Sequence, residues 1–178
     1  MINGTCIDPP LQSNFDATRY SGRWFEIYRD NGQQAENGYD CQNALYTLRQ
    51  EGGLEVRNSM FSLTKGDFQS IEGNATCKGA QCDVVFFGHE GDYRVIETDY
   101  ENYSLVYSCE QFSKEVKFEA AWILSRTPIM AQETQDKLTN LLQTQVPDYD
   151  LTFLVQPNQG AQCKYEPANH SPEYLFLQ

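Results

Sequence analysis

The sequence lacks long apolar runs, since none approaches the roughly 18 consecutive residues that a membrane-spanning helix needs. It is also poor in basic residues, with 13 Lys and Arg against 25 Asp and Glu, a formal net charge of -12. An electrostatic grip on nucleic acid or on an anionic membrane is therefore not expected. We interpret the excess of acidic residues as a contribution to solubility.

The six cysteines contain no C-x-x-C pair, which argues against a structural zinc site, and no metal is expected. Because their number is even, disulfides are expected, and disulfides predict an oxidising, secreted environment. Sequons at Asn3, Asn74 and Asn102 agree with secretion and are candidate glycosylation sites. A fourth sequon, at Asn169, is weakened by the proline that follows its serine.

A chain of 178 residues fits one domain with a single core, and 11 Tyr and 10 Phe favour a β-rich fold. The sequence contains no crossover connections of the kind that join parallel strands in an α/β sheet. Alternating segments at a spacing of about 10 to 12 residues predict an all-β sandwich or an up-and-down barrel. The eight predicted strands are 22–29, 41–49, 54–63, 68–76, 83–87, 94–100, 102–110 and 117–126.

One helix is predicted after the strands, over 129–143, with Thr127-Pro128 as its N-cap and first residue. Its apolar stripe favours docking on the outside of the barrel. The stripe consists of Met130, Leu138, Leu141 and Leu142. The segment 151–155 predicts a short ninth strand.

The domain organisation follows from these elements. We expect one domain over 1–163 and a C-terminal tail over 164–178. Within the tail, Tyr174-Leu175-Phe176-Leu177 is either a disordered end or a small contact patch, so an oligomer could form through the tail or through the barrel surface.

Three short motifs resemble those of the lipocalin family, in the same order and with similar separations. They are Gly22-Arg23-Trp24, Thr98-Asp99-Tyr100 and Arg126. The resemblance covers about residues 6–163 and is strongest to the branch with apolipoprotein D, the insect bilin-binding proteins and the carotenoid-binding crustacyanins. It implies an eight-stranded antiparallel barrel with one outer helix and a ligand cavity.

The motif residues have structural interpretations. Trp24 is expected to close one end of the barrel with Arg126 stacked on its indole, and Asp99 is expected to cap its own turn. The resemblance also implies disulfides Cys6–Cys109 and Cys41–Cys163, which leaves Cys77 with Cys82 across a hairpin. Counting alone allows 15 pairing schemes for six cysteines.

The predicted cavity lining follows from strand alternation, although each of these side chains could equally fill a core. For strand 83–87 two registers stay open, with either Val84 and Phe86 or Val85 and Phe87 facing inward. The predicted ligand-binding residues are Tyr28, Tyr46, Leu48, Val56, Asn58, Met60, Ile71, Tyr93, Val95, Glu97, Val106, Trp122 and Leu124.

Charge narrows the expected ligand class. The inferred inward positions include Glu26, Glu97 and Glu110 but no Lys or Arg above the floor, so a buried ligand carboxylate would be unpaired. This favours a neutral or N–H-rich ligand such as a sterol, a carotenoid or a linear tetrapyrrole. Biliverdin is preferred, with its propionates at the mouth near Arg94 or Lys65.

The leading hypothesis is therefore a secreted binding or transport protein for a small hydrophobic ligand, either a bilin such as biliverdin or a carotenoid. A fatty-acid or sterol carrier of the apolipoprotein D type is the alternative, and haem ligation by His89 is expected less than either. An enzyme is not expected, because all six cysteines have plausible partners and nothing brings Glu97 and Glu110 together around a substrate.

Overall fold

The computed structural model describes residues 1–32 and 38–167, and its secondary structure is mainly strands. Two short strands flank eight longer ones. The strands are β1 Ile2–Asn3, β2 Gly22–Asp30, β3 Asp40–Leu48, β4 Leu54–Phe61, β5 Phe68–Lys78, β6 Gln81–Phe86, β7 His89–Thr98, β8 Tyr103–Ser113, β9 Val116–Ser125 and β10 Leu154–Val155. The helices are α1 Ala17–Tyr20 and α2 Gln132–Gln145.

The eight strands β2 to β9 form a closed antiparallel barrel. Each strand pairs with the next along the chain, and β9 pairs in turn with β2. Closure leaves no long unpaired edge among these strands. The predicted up-and-down eight-stranded barrel is thereby confirmed. The two short strands extend the sheet outside it, with β1 on β9 and β10 on β2.

The outer helix lies slightly later in the chain than predicted. Helix α2 begins at Gln132, and the N-cap position is Ala131, whose side chain makes no capping hydrogen bond. Thr127 belongs to the preceding turn instead, where its Oγ1 donates to the carbonyl of Ile129 at 2.7 Å. The predicted N-cap role of Thr127-Pro128 is therefore wrong, because this turn uses up the hydroxyl.

Two other elements differ from the prediction. The segment 151–155 divides into a 3-10 helix at Leu151–Phe153 and the two-residue strand β10, so the predicted ninth strand is shorter. Helix α1 was not predicted. It is capped by Asp16, whose carboxylate accepts from the backbone N–H groups of Thr18 and Arg19.

The barrel wall separates two apolar clusters. The inner cluster fills the closed end and includes Trp24, Val95 and Val106. The outer cluster lies under α2, where Leu138 and Leu142 are fully buried against wall residues such as Ile123. Helix α2 therefore docks on the outside of the barrel, and no helix in the described residues is long and apolar enough to cross a membrane.

All three expected disulfides are present in the structure. Cys6–Cys109 and Cys41–Cys163 join residues 103 and 122 positions apart, whereas Cys77–Cys82 joins residues five apart across the β5–β6 turn. In the chain-entropy model the long loops contribute about 5 kcal/mol each and the short loop about 2 kcal/mol. The long bridges tie the N-terminal and C-terminal segments to the barrel.

The first residues of the predicted tail contact the barrel. The ring of Tyr165 packs edge-on against Phe25 with centroids 4.9 Å apart, and the Glu166 carboxylate accepts from Arg57 Nε at 2.9 Å. The remainder of the tail, with Asn169 and residues 174–177, lies outside the described residues. The side chains of Asn3, Asn74 and Asn102 are exposed, so glycosylation at these asparagines stays a prediction.

Candidate functional site

The floor of the barrel is built around Trp24, which is 0% exposed. Arg126 lies over the indole with its Cζ 3.7 Å from the ring centroid, as the motifs predicted. Gly22 makes this approach feasible, because its φ is +98° and a Cβ there would lie 3.1 Å from Arg126 Nη1. Stacking of a weakly hydrated guanidinium on an indole closes this end of the barrel against water.

Arg126 also ties together the segments that meet at the floor. Its Nε donates to the carbonyl of Tyr100, its Nη1 to that of Arg23 and its Nη2 to that of Arg19, each at 2.9 Å. The indole Nε1 of Trp24 donates to the carbonyl of Tyr20 at 2.9 Å. These contacts place Arg126 in a structural role.

The second motif forms the turn beside this floor. Asp99 Oδ1 accepts from the backbone N–H groups of Glu101, Asn102 and Tyr103 at 3.1, 2.8 and 3.0 Å. Burial alone would raise the pKa of Asp99, but these hydrogen bonds and one from the Asn102 side chain hold it below its usual value. The Thr98 hydroxyl donates to the Tyr103 carbonyl at 2.7 Å.

Above the floor lies a cavity of about 370 Å³ inside the barrel. Eight of the predicted ligand-binding residues line it, together with further residues of the barrel wall that were not predicted. The eight are Tyr46, Val56, Asn58, Met60, Ile71, Tyr93, Trp122 and Leu124; the others include Tyr20, Glu26, Ala44, Leu54, Ala75, Val84, Phe86, Ser108 and Phe118. Their contact with a ligand stays a prediction.

The open register of β6 is settled by its pairing with β5. Val84 pairs with the buried Ala75, and Val84 and Phe86 line the cavity. Val85 and Phe87 point outward and are 37% and 81% exposed.

Tyr28 was predicted to line the cavity, and the structure places it outside the barrel. The pairing of β2 with β9 shifts by one residue between Glu26 and Tyr28, which reverses the alternation beyond that point. Tyr28 therefore packs on the outer cluster, and its hydroxyl donates to Gln135 Oε1 of α2 at 3.1 Å.

Glu97 is displaced from the predicted lining in the same way. The pairing of β7 with β8 shifts between Val95 and Glu97, so Val95 faces inward and Glu97 faces α2. Its Oε1 accepts from the Tyr103 hydroxyl at 2.8 Å and from Lys137 Nζ at 2.6 Å. Burial would raise the pKa of Glu97, but these two hydrogen bonds lower it below its usual value.

Three further predicted residues also lie outside the cavity lining. Leu48 is the last residue of β3 and is 45% exposed. Val95 and Val106 do point inward, but both are 0% exposed in the packed inner cluster and do not line the cavity. These two valines therefore fill the core and do not border the ligand space.

The deep end of the cavity carries phenol groups. The hydroxyls of Tyr20 and Tyr93 lie 2.8 Å apart, and those of Tyr46 and Tyr93 lie 3.1 Å apart. Burial raises the pKa of Tyr20 to about 12 and also raises those of Tyr46 and Tyr93, so all three remain neutral. Tyr20 was missed because it precedes the first strand, although Asp16 is a typical helix N-cap residue.

The charged groups of the cavity are mainly acidic. Glu26, Glu90 and Asp92 are among its lining residues, and within the described part of the chain the lining holds no Lys or Arg. The expectation that no Lys or Arg faces inward above the floor is wrong for Arg29. This residue pairs with Trp122, which lines the cavity, so Arg29 is on the inner face of β2. Arg94 is not among the lining residues and is paired with Asp92 and Asp8, so it is not the expected cation at the mouth.

The structure also places two groups that bear on haem ligation and thiol chemistry, His89 and Cys82. His89 is exposed and lies in the cavity lining as the first residue of β7, not in a loop. In the described residues no group of three or more His, Cys, Asp or Glu side chains could hold a metal ion. Cys82 lines the cavity, but its sulfur is bonded to Cys77.

The geometry is that of a barrel with a closed floor and a ligand-sized cavity, and comparison with known proteins identifies its class. Residues 15–159 match the family model of the lipocalin-like domain, and the chain belongs to this family. It is 39% identical over 145 residues to apolipoprotein D of Macaca fascicularis, covering 78% of this chain and 75% of that protein.

Solved structures agree with this assignment. Insecticyanin from the tobacco hornworm Manduca sexta is 25% identical with a TM-score of 0.71, covering 88% of each chain. Apocrustacyanin C1 has a TM-score of 0.79 at 18% identity, covering 91% of this chain and 92% of that one, and supports the fold alone.

Proposed function

We propose that this lipocalin is a secreted carrier that holds a small hydrophobic chromophore, a bilin such as biliverdin or a carotenoid, in its barrel cavity. The observation that carries the proposal is the cavity of about 370 Å³ above the Trp24 floor, because its walls are mainly apolar and aromatic. Ligand sites of this kind typically combine such walls with a few polar groups that orient the ligand. The three disulfides support secretion.

The charge of the cavity supports a neutral or N–H-rich ligand over a fatty acid. A carboxylate at the deep end would lie near Glu26 and among neutral phenols, which makes its burial costly. The propionates of a bilin can instead stay at the mouth, in solvent and near the exposed Lys65. A sterol carrier of the apolipoprotein D type is the second candidate, because the same walls accept a neutral sterol.

A non-catalytic role completes the proposal. All six cysteines are in disulfides, so the cavity offers no free thiol for nucleophilic chemistry. The suggested acid pair of Glu97 and Glu110 is also weakened, because Glu97 faces α2 outside the barrel.

Titration of the disulfide-bonded protein with biliverdin tests this function. We expect a shift of the visible absorption band at micromolar protein. A matched pair of variants locates the site on β6, where Val84 faces inward and its neighbour Val85 faces outward. Val84→Trp fills the cavity and should abolish the shift, whereas Val85→Trp adds the same side chain outside and should preserve it.

The titration also separates the alternatives. If neither biliverdin nor a carotenoid shifts the band but a sterol binds, the ligand is a sterol and not a chromophore. Equal loss or equal retention of binding in the two tryptophan variants would contradict the cavity as the binding site. Organic extraction of protein from its native source, followed by mass spectrometry, identifies the ligand directly.

A further inference from the structure

Four hydroxyl groups form a continuous chain at the deep end of the cavity. Tyr46 Oη lies 3.1 Å from Tyr93 Oη, which lies 2.8 Å from Tyr20 Oη, which lies 2.8 Å from Ser104 Oγ. The three tyrosines line the cavity, whereas Ser104 is 0% exposed and lies in the wall behind them. The chain therefore has one buried end, at Ser104, and one end at the ligand space, at Tyr46.

Counting hydrogens shows that this chain has one donor to spare. Each hydroxyl carries one hydrogen, so four hydrogens serve three contacts and one hydrogen is left over. If the leftover hydrogen were on Ser104, it would be a buried donor without an acceptor in the described part of the chain, at a cost of about 1 to 3 kcal/mol. With Ser104 as a donor to Tyr20, the leftover hydrogen lies on one of the three tyrosines that line the cavity, and a chain that keeps one direction through Tyr20 and Tyr93 places it on Tyr46.

The surroundings determine what this hydrogen can bind. Burial raises the pKa of Tyr20 to about 12, so the chain keeps its hydrogens at neutral pH. Arg126 stacks on Trp24 at the floor and is not among the residues that line the cavity. Within the described residues the cavity lining holds no Lys or Arg that could neutralise an anion. The ligand group that suits this hydroxyl hydrogen is therefore an uncharged hydrogen-bond acceptor.

We propose that the ligand places a neutral carbonyl oxygen against Tyr46 Oη at the deep end of the cavity, which makes Tyr46 a specificity-determining residue. The proposal rests on the proposed function and deepens it. Ketocarotenoids, ketosteroids and the lactam rings of bilins all carry this group.

The test compares a ketone with the matching alkane. Binding of 2-nonanone and of nonane is measured by displacement of the neutral dye N-phenyl-1-naphthylamine. The variant is Tyr46→Phe/Tyr93→Phe, because in Tyr46→Phe alone the leftover hydrogen passes to Tyr93, which also lines the cavity. Tyr28→Phe removes the same hydroxyl from the outside of the barrel and is the control.

We expect the double variant to lower the affinity for 2-nonanone by about three- to tenfold, the usual effect of one neutral hydrogen bond. Its affinity for nonane should be unchanged, which also shows that the cavity is intact. Should the double variant fail to fold, Tyr46→Phe alone should lower the ketone affinity by a smaller factor and leave that for nonane unchanged, because the leftover hydrogen then lies on Tyr93 instead of Tyr46. Tyr28→Phe should leave both affinities unchanged.

Two results overturn the proposal in distinguishable ways. Equal changes for ketone and alkane would reject the carbonyl contact while leaving the carrier function intact. Failure of the wild-type protein to bind the dye, the ketone or the alkane would reject the carrier function itself. Biliverdin, canthaxanthin and progesterone are then compared in the same variants, and loss of affinity for one of them identifies the carbonyl source.

Discussion

The two tryptophans of the chain lie in regions with opposite properties. Trp24, at the floor, is 0% exposed, stacked under Arg126 and hydrogen-bonded through its indole. Trp122, in the cavity wall, is partly buried and borders open space. The floor is fully packed and its polar groups have partners, whereas the wall keeps apolar surface for a ligand. Stability and binding should therefore respond differently to changes in the two regions.

Truncation at the floor should have the largest effect on stability. Trp24→Ala removes a fully buried indole and should lower the free energy of unfolding by about 3 to 5 kcal/mol, since the closed floor cannot collapse around the gap. Urea denaturation followed by far-UV circular dichroism measures the loss. Trp122→Ala is the matched control, and it should destabilise less but weaken ligand binding more. A larger stability loss for Trp122→Ala would contradict the comparison.

The geometry of the floor cation should matter more than its charge. Arg126→Lys keeps the positive charge but loses the planar fork that reaches the carbonyls of Tyr100, Arg23 and Arg19. We expect a loss of about 2 kcal/mol in the free energy of unfolding, because three backbone carbonyls at the floor lose their charged donor. Arg49→Lys, in a pair near a surface turn, should change stability little. An equally small effect at Arg126 would remove its assigned structural role.

The same contrast explains how much the sequence could predict. The floor was predictable because it depends on residues with few substitutes, a glycine at positive φ, an indole and an arginine, in short motifs. The barrel was predictable because alternation and turn residues recur along eight strands. In the cavity, the alternation correctly placed residues such as Tyr46, Val56 and Leu124 on the inner side.

The errors in the cavity have a common physical origin. Tyr28 and Glu97 were predicted to face inward, and each follows a register shift that turns the remaining strand over. A bulge depends on pairing with a neighbouring strand, so the alternation within one strand does not reveal it. Val95 and Val106 show a second limit, because alternation predicts the direction of a side chain but not whether open space lies in front of it.

Glu26 and Glu97 were both predicted to face inward, and only Glu26 lines the cavity, so the two residues provide a binding test. Glu26→Gln removes an acidic charge from the cavity and should raise the affinity for undecanoic acid by about tenfold, equivalent to about 1.4 kcal/mol. Glu97→Gln removes the same charge outside the barrel, where Lys137 pairs with it, and should leave the affinity unchanged. Dye displacement measures both. Equal effects of the two substitutions would contradict the assignment of Glu97 to the outer face.

The smallest expected effect is the acid dependence of the turn beside the floor. The pKa of Asp99 is lowered in the folded state, because hydrogen bonds to its charged form outweigh the effect of burial. A carboxyl group with a lowered pKa stabilises the fold above its unfolded pKa of about 3.9, and this contribution is lost as the pH falls through the folded value. The melting temperature of the wild type should therefore drop more steeply below about pH 4 than that of Asp99→Asn. Since Asn lacks the titrating group but keeps one acceptor oxygen, parallel pH profiles for the two proteins would show that Asp99 contributes no charge-dependent stability to the floor.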